Sequence, residues 1–271
     1  MKIILSADDF GRSHEMNLAI DYAMRNRLVC STALLMGSEY TEEAVGMAFD
    51  GGYIGDVHCH LNLNSCLRAG NHFVPLNEAY KQSRFCRDGE FADVRYYRPD
   101  FMKYADIIFR ELETQFLTFR ELTKGQANEL HLDFHLYANL NPPVAAAYSR
   151  LIRKYRIQSA RFFGEHYKEV KESRNKRLVH SVMRACLRHS RAYVVKSSRI
   201  DYFLTKRERF GREKTIELFV HPDYRDGVLT DTTTSVFGNE QKPLEEHIRL
   251  VKEAADAEFI SWASLNKPTR K

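Results

Sequence analysis

Four short segments of this 271-residue chain place acids and histidines at or just beyond apolar runs. Asp8 and Asp9 follow Ile3, Ile4 and Leu5. His58, His60 and Asn62 occupy alternate positions of a second segment, and His131, Asp133 and His135 repeat that spacing in a third. Glu217 and His221 fall within and just after a fourth. Side chains two apart on a strand share a face, so the two middle segments each aim three polar groups the same way. An apolar interior does not accept that many polar groups without partners. A metal ion meets the requirement: two neutral imidazoles and a carboxylate are a common ligand set for zinc and other divalent first-row metals. Such a set leaves coordination positions open for water and substrate.

Each segment alone has an ordinary explanation. Asp8-Asp9-Phe10-Gly11 also reads as a turn and helix cap. A lone strand histidine is more often a satisfied core or surface group than a ligand, and His221-Pro222-Asp223 reads as a turn. Their shared position is the argument, because in parallel α/β folds ligands bind at the C-terminal ends of the strands. Adjacent strand residues face opposite ways. If Asp8 and Asp9 serve one site, the chain must bend between them, and Gly11 supplies conformational freedom nearby. Two carboxylates so close call for a cation beside them.

The elements that would carry these groups alternate along the chain. Strands are expected at 2–7, 32–36, 54–63, 130–134, 159–163, 202–204, 215–220 and 258–262. Helices are expected at 13–27, 41–49, 101–122, 142–155 and 244–257 from apolar residues at helical spacing, and the basic stretch 168–191 reads as mostly helical. Strand-then-helix order implies a mostly parallel sheet covered by helices. The fold class expected is α/β, an irregular (β/α) barrel of about seven parallel strands. A doubly wound open sheet is the alternative, but no Gly-x-Gly-x-x-Gly follows the first strand. One catalytic domain over 1–265 is expected, with an irregular insertion at about 64–100 and a disordered tail at 266–271.

The net charge of +5, from 41 basic and 36 acidic residues, is spread along the chain and gives no reason to expect nucleic acid as a partner. Five cysteines form no regular framework and suit a reducing compartment. Asp8 interrupts any N-terminal signal sequence, and no apolar stretch approaches the roughly 20 residues that span a bilayer. A cytoplasmic protein without membrane contact is expected.

Taken in order, Ala7-Asp8-Asp9-Phe10-Gly11, His60-Leu61-Asn62-Leu63, His131-Leu132-Asp133-Phe134-His135 and Glu217-Leu218-Phe219-Val220-His221-Pro222 resemble the motifs of the YdjC-like carbohydrate deacetylases, which include chito-oligosaccharide deacetylases. Ser197 to Phe203 is also similar to a family segment. The resemblance implies an irregular, polysaccharide-deacetylase-like (β/α) barrel and one divalent metal, magnesium or zinc. By the same resemblance Asp9, His60 and His135 hold the metal, Asp8 is the general base, His221 the general acid, and Arg161 orients Asp8. The implied reaction removes an N-acetyl group from an amino sugar or short oligosaccharide. A small carbohydrate is the expected partner, and a second copy of the chain, as a homodimer, is a candidate one. The chain departs from the family at Tyr137, where members often carry histidine, at Asp223, where many have glycine, and at Asp56-Val57-His58-Cys59, where the approach to His60 is usually more apolar. Hydrolysis of a non-sugar amide or ester, and silent sugar binding, stand as the alternatives.

Among the remaining features, Cys59 alternates away from His58 and His60 and reads as a buried structural thiol. Trp262 reads as core. Phe73, Tyr80, Phe85, Tyr96 and Tyr97 are equally readable as a sugar platform or as pins for their own loop. The basic stretch 168–191 reads as a solvated helix face.

Overall fold

The computed structural model describes residues 1–64, 72–92, 104–136, 141–161, 192–232 and 243–265, together with 181 and 185. In chain order the strands are β1 (Lys2–Phe10), β2 (Ser31–Leu35), β3 (Val57–Leu61), β4 (Cys86–Arg87), β5 (Glu90–Phe91), β6 (Asn128–Phe134), β7 (Ser159–Arg161), β8 (Tyr193–Arg199), β9 (Thr215–Val220), β10 (Pro222–Arg225), β11 (Val228–Asp231) and β12 (Glu258–Phe259). The longer helices are α1 (His14–Arg25), α2 (Thr41–Asp50), α4 (Ala105–Leu122), α5 (Pro142–Tyr155) and a late one at Leu244–Ala254, with the short α3 (Glu78–Lys81) between α2 and α4.

Strands β1, β2, β3, β6, β7, β8 and β9 pair in parallel in that order, and β9 returns to β1. The result is the closed seven-stranded parallel barrel expected from the sequence. β1 is long enough to have two neighbours on one side: β2 along its C-terminal half and the short β12 beside Lys2 and Ile3.

Two environments line this sheet. On the outer face Ile3, Leu5, Ala7, Leu61, Leu132, Phe134, Ala160, Ile216 and Leu218 form one apolar core with Ala19, Ile20 and Ala23 of α1, Ile108, Leu112, Phe116 and Phe119 of α4, and Val144, Tyr148 and Leu151 of α5. Burying each large side chain there contributes roughly 1.5–3 kcal/mol. The inner face alternates with it and is polar: Ser6, Asp8, His58, His60, His131, Asp133, Ser159, Arg161, Ser197 and Glu217 are all buried. Barrel interiors are ordinarily packed with branched apolar residues. Here a separate apolar cluster makes the floor, from Ile4, Val195, Ile260 and Trp262.

The helices start and stop where their termini are satisfied. Ser13 caps α1 by accepting from the Met16 N–H at 3.2 Å. Two prolines open α5, where missing N–H groups do no harm, and Arg156 ends it in a left-handed conformation, φ 54°.

Several elements differ from the sequence expectation. Residues 202–204 lie in a short helix, Ile200–Thr205, and the strand of that unit is β8, just before it. The apolar run Tyr202-Phe203-Leu204 fits either state, and the helix buries Tyr202 and Phe203. The last strand is two residues long, and Trp262 opens a helical turn, Trp262–Leu265, instead of ending a strand. The helix expected to reach 257 stops at Ala254. His221-Pro222-Asp223 leads into an unforeseen antiparallel hairpin, β10–β11.

Within the segment expected to be an irregular insertion, residues 72–92 are more ordered than their lack of periodicity suggests. Asn77 caps α3, and β4 pairs with β5. Glu111 of α4 accepts backbone N–H groups from Leu76 and Asn77 at 2.8–3.1 Å. Phe73, Tyr80 and Phe85 are buried, so these three pin the segment; Tyr96 and Tyr97 lie outside the described residues. So does nearly all of the basic stretch 168–191. No helix among the described residues is long and apolar enough to cross a membrane.

Candidate active site

The first strand solves the problem of its paired aspartates with one extra residue. Ala7 pairs with Thr32 but Phe10 pairs with Leu34, so β1 uses three steps where β2 uses two. This β-bulge falls at Asp8-Asp9, and Asp9 takes a left-handed conformation, φ 71°. A bulge re-aims a side chain and bends its strand, which brings both carboxylates to the barrel mouth. The turn that follows is fixed by Asn17, whose Oδ1 accepts the Gly11 N–H at 2.7 Å. Gly11 has φ 87°, and a Cβ there would approach the Leu35 carbonyl oxygen to 3.1 Å.

Asp9 Oδ1 is the meeting point. It lies 2.8 Å from His135 Nδ1 and 3.5 Å from His60 Nε2, yet among the described residues it is buried with no hydrogen bond of good geometry. Its other oxygen accepts from Arg12 at 2.8 Å, and His221 Nε2 stands 4.0 Å from that oxygen. One ligand atom from each of Asp9, His60 and His135 lies within 4.8 Å of the other two, an arrangement able to hold a metal ion. A buried carboxylate oxygen facing two imidazole nitrogens without a hydrogen bond is what a cation between them would complete.

The groups behind this triad are fixed in turn. His60 Nδ1 bonds Asp133 Oδ1, which turns Nε2 toward Asp9; a carboxylate behind a ligating histidine fixes its tautomer and ring orientation. Asp133 Oδ2 is bonded by His58 Nε2 at 3.0 Å and lies 3.2 Å from Arg161 Nη2. Arg161 spans two more carboxylates: it donates to Asp8 at 2.5 and 2.9 Å and to Glu217 at 2.5 and 2.7 Å. Such bidentate pairs are the strongest and most directional that a guanidinium makes.

Electrostatics favours a cation. Burial opposes the charge on Asp9, but His135 and then His60 hold its carboxyl well below the usual range. Burial would likewise depress His60, but Asp133 and Asp9 outweigh it and push the imidazole up to about 10. Burial lowers His135, against the pull of Asp9, and this keeps its lone pair free. Glu217 is raised by burial despite Arg161. Among the described residues, four buried carboxylates, Asp8, Asp9, Asp133 and Glu217, face two guanidiniums, Arg161 and Arg12. A divalent cation would neutralise the set.

The structure thus brings together Asp8, Asp9, His60, His135, Arg161 and His221. His58 shares a face with His60 but lies one layer deeper, grouped with His131 and Asp133. Cys59 is buried in the outer core, and Tyr137 lies outside the described residues. Glu217 and Asp133 were visible in the strand-end motifs, but their task, holding Arg161 and His60, was not. Alternation alone could have suggested it, since Glu217 points inward two residues before Phe219. Arg12, at the end of the bulged turn, gave no signal.

The fold and site define a (β/α) barrel with a histidine–aspartate centre at the C-terminal ends of its strands. A family model described as YdjC-like protein matches residues 2–257, and the chain belongs to that family. Similar curated proteins include carbohydrate deacetylase 2 of Listeria innocua, 28% identical over 58% of this chain and 59% of that protein, and a carbohydrate deacetylase of Brevibacillus brevis, 29% identical over 58% of each. The matched region thus spans under two thirds of these relatives' lengths. A carbohydrate deacetylase of Vibrio vulnificus is 26% identical over 84% of this chain and 81% of its own. A solved structure from Enterococcus faecalis V583, provisionally described as a cellobiose-phosphate cleavage protein, covers 97% of this chain and 98% of its own at a TM-score of 0.66 and 17% identity; that likeness is one of fold.

Proposed function

We propose that the chain is a metal-dependent hydrolase that removes N-acetyl groups from an amino sugar or a short oligosaccharide such as a chito-oligosaccharide. The observation that carries the reading is the convergence of His60 Nε2 and His135 Nδ1 on the orphaned Asp9 Oδ1, with Asp8 held by Arg161 beside it. The names of the relatives from Listeria, Brevibacillus and Vibrio support the carbohydrate class.

Asp9, His60 and His135 would hold one magnesium or zinc ion, which when bound supplies a Lewis acid and lowers the pKa of water at neutral pH. Asp8 is the general base. Its two oxygens are clamped by Arg161, so the carboxylate is held in one orientation toward the attacking water. His221, part-exposed at the mouth, delivers a proton to the leaving nitrogen from the opposite side. Its backbone N–H is bonded by Asp231 at 2.9 Å, which fixes the start of the β10–β11 hairpin. The cytoplasm is the proposed compartment; Cys30, Cys59 and Cys86 are free thiols, as a reducing environment requires.

The test combines metal analysis with acetate release from N-acetylated chito-oligosaccharides of several lengths and from non-sugar amides. About one metal per chain with acetate released from the sugars alone supports the reading. Undiminished turnover by a His60→Ala, His135→Ala variant would sink it.

A further inference from the structure

The family match ends at residue 257, yet the next few residues finish the barrel interior. Glu258 and Phe259 run beside β1, Ile260 donates its N–H to the Ile3 carbonyl at 3.0 Å, and the chain then turns under the barrel. Trp262 is fully buried there. Its backbone N–H bonds Ser31 Oγ at 3.0 Å, at the start of β2. Its ring stacks on His131 with centroids 3.6 Å apart and planes 13° from parallel. Its indole Nε1–H donates to Glu217 Oε1 at 3.1 Å.

That last bond reaches the chemistry. Glu217 Oε2 and Oε1 accept from Nε and Nη2 of Arg161, and the adjacent edge of the same guanidinium, Nη1 and the shared Nη2, clamps Asp8. Arg161 holds both oxygens of Glu217 from one side, and the indole N–H, arriving from the floor, is a further donor that holds Oε1 from a second direction. We propose that Trp262 is a positioning residue for the reaction, which through Glu217 and Arg161 fixes the plane of the Asp8 carboxylate. The inference rests on the proposed role of Asp8. An apolar residue of equal bulk would close the floor equally well, so the hydrogen bond is the part that a purely structural role leaves unused.

Trp262→Phe keeps the stack on His131 and most of the volume but loses the N–H. The expected result is a roughly tenfold fall in kcat with KM and metal content unchanged, and no further fall when Trp262→Phe is added to Glu217→Gln, because the two act along one path. Wild-type kcat, or losses that multiply in the double variant, would overturn the proposal. Trp262 is the sole tryptophan of the chain, so its indole N–H gives a single resonance that can be followed without any activity. That resonance should move on Glu217→Gln and again, by less, on Asp8→Asn. If it ignores both changes, the path does not exist. If it follows both while no substrate is turned over, the path stands and the deacetylase reading is what fails.

Discussion

Two clusters of the same composition, two histidines and an aspartate, lie one above the other in this barrel. Asp9, His60 and His135 form the upper one; His58, His131 and Asp133 form the lower. All six residues are buried, and in each cluster some polar atoms lack a hydrogen bond, namely Asp9 Oδ1 above and His58 Nδ1 and His131 Nε2 below. The difference lies in what the carboxylate is already doing. Among the described residues Asp9 Oδ1 accepts no hydrogen bond of good geometry, whereas both oxygens of Asp133 are engaged by His60, His58 and Arg161. A cation placed on Asp133 Oδ2 would sit beside a guanidinium 3.2 Å from that oxygen, and like charges in a low-dielectric interior repel strongly. Ligand type is therefore not enough to make a metal site; a carboxylate oxygen not already engaged by a cationic donor is also needed, and Asp9, whose Arg12 contact is confined to Oδ2, keeps one. The lower cluster serves as support for the upper.

The largest effect that would test this contrast is ligand removal. His60→Ala or His135→Ala should eliminate stoichiometric metal and reduce acetate release to background, read by elemental analysis and product assay. A second metal equivalent that survives either change would break the comparison. Next, Asp8→Asn should lower kcat by roughly 10²–10⁴-fold, the scale of general base catalysis, while metal content stays near one per chain. Asp133→Asn should weaken metal affinity by roughly 10–100-fold, as is usual when the partner of a ligating histidine is altered; competition with a chelator would measure it.

A smaller effect concerns protons. In the metal-free protein His60 is raised to about 10, above its ordinary value of about 6.5. Its contribution to stability is therefore complete below about 6.5 and is lost as the pH rises through about 10. Metal competes for the same lone pair, so binding near pH 7.5 should release a proton, and the calorimetric heat should vary with the ionisation enthalpy of the buffer. A heat independent of buffer would count against His60 as a ligand. The smallest effect is expected below: His131→Phe keeps a ring against Trp262 and should change stability by about 1 kcal/mol or less, with metal content intact, as thermal melts and elemental analysis would report.

The barrel was legible in the sequence because it depends on period and position, whereas the set Asp9, His60 and His135 came only from the resemblance to the family's motifs. Alternating polar residues in β3 and β6 gave the inward face, and the apolar runs gave the strands. The bend at Asp8-Asp9 was also foreseeable, since two adjacent strand residues cannot otherwise serve one site. The division between His58 and His60 was not, because residues two apart share a face and differ only in depth, which register with β6 decides. The helix at Ile200–Thr205 was misread because a three-residue apolar run has no period of its own. Trp262 read correctly as core, but its indole bond to Glu217 joins residues 45 positions apart, and no local pattern records that.

The bulge in β1 has a consequence for how this strand can vary. A strand is read by parity: odd and even residues go to opposite sides, and any substitution keeps the count. The extra residue at Asp8-Asp9 works as a frameshift, placing Asp8 and Asp9 in the same mouth and restoring the pairing by Phe10. Deleting any one residue between Ala7 and Phe10 would therefore exchange the destinations of side chains that are themselves unchanged. At this point of the molecule, the number of residues is constrained as tightly as their identity.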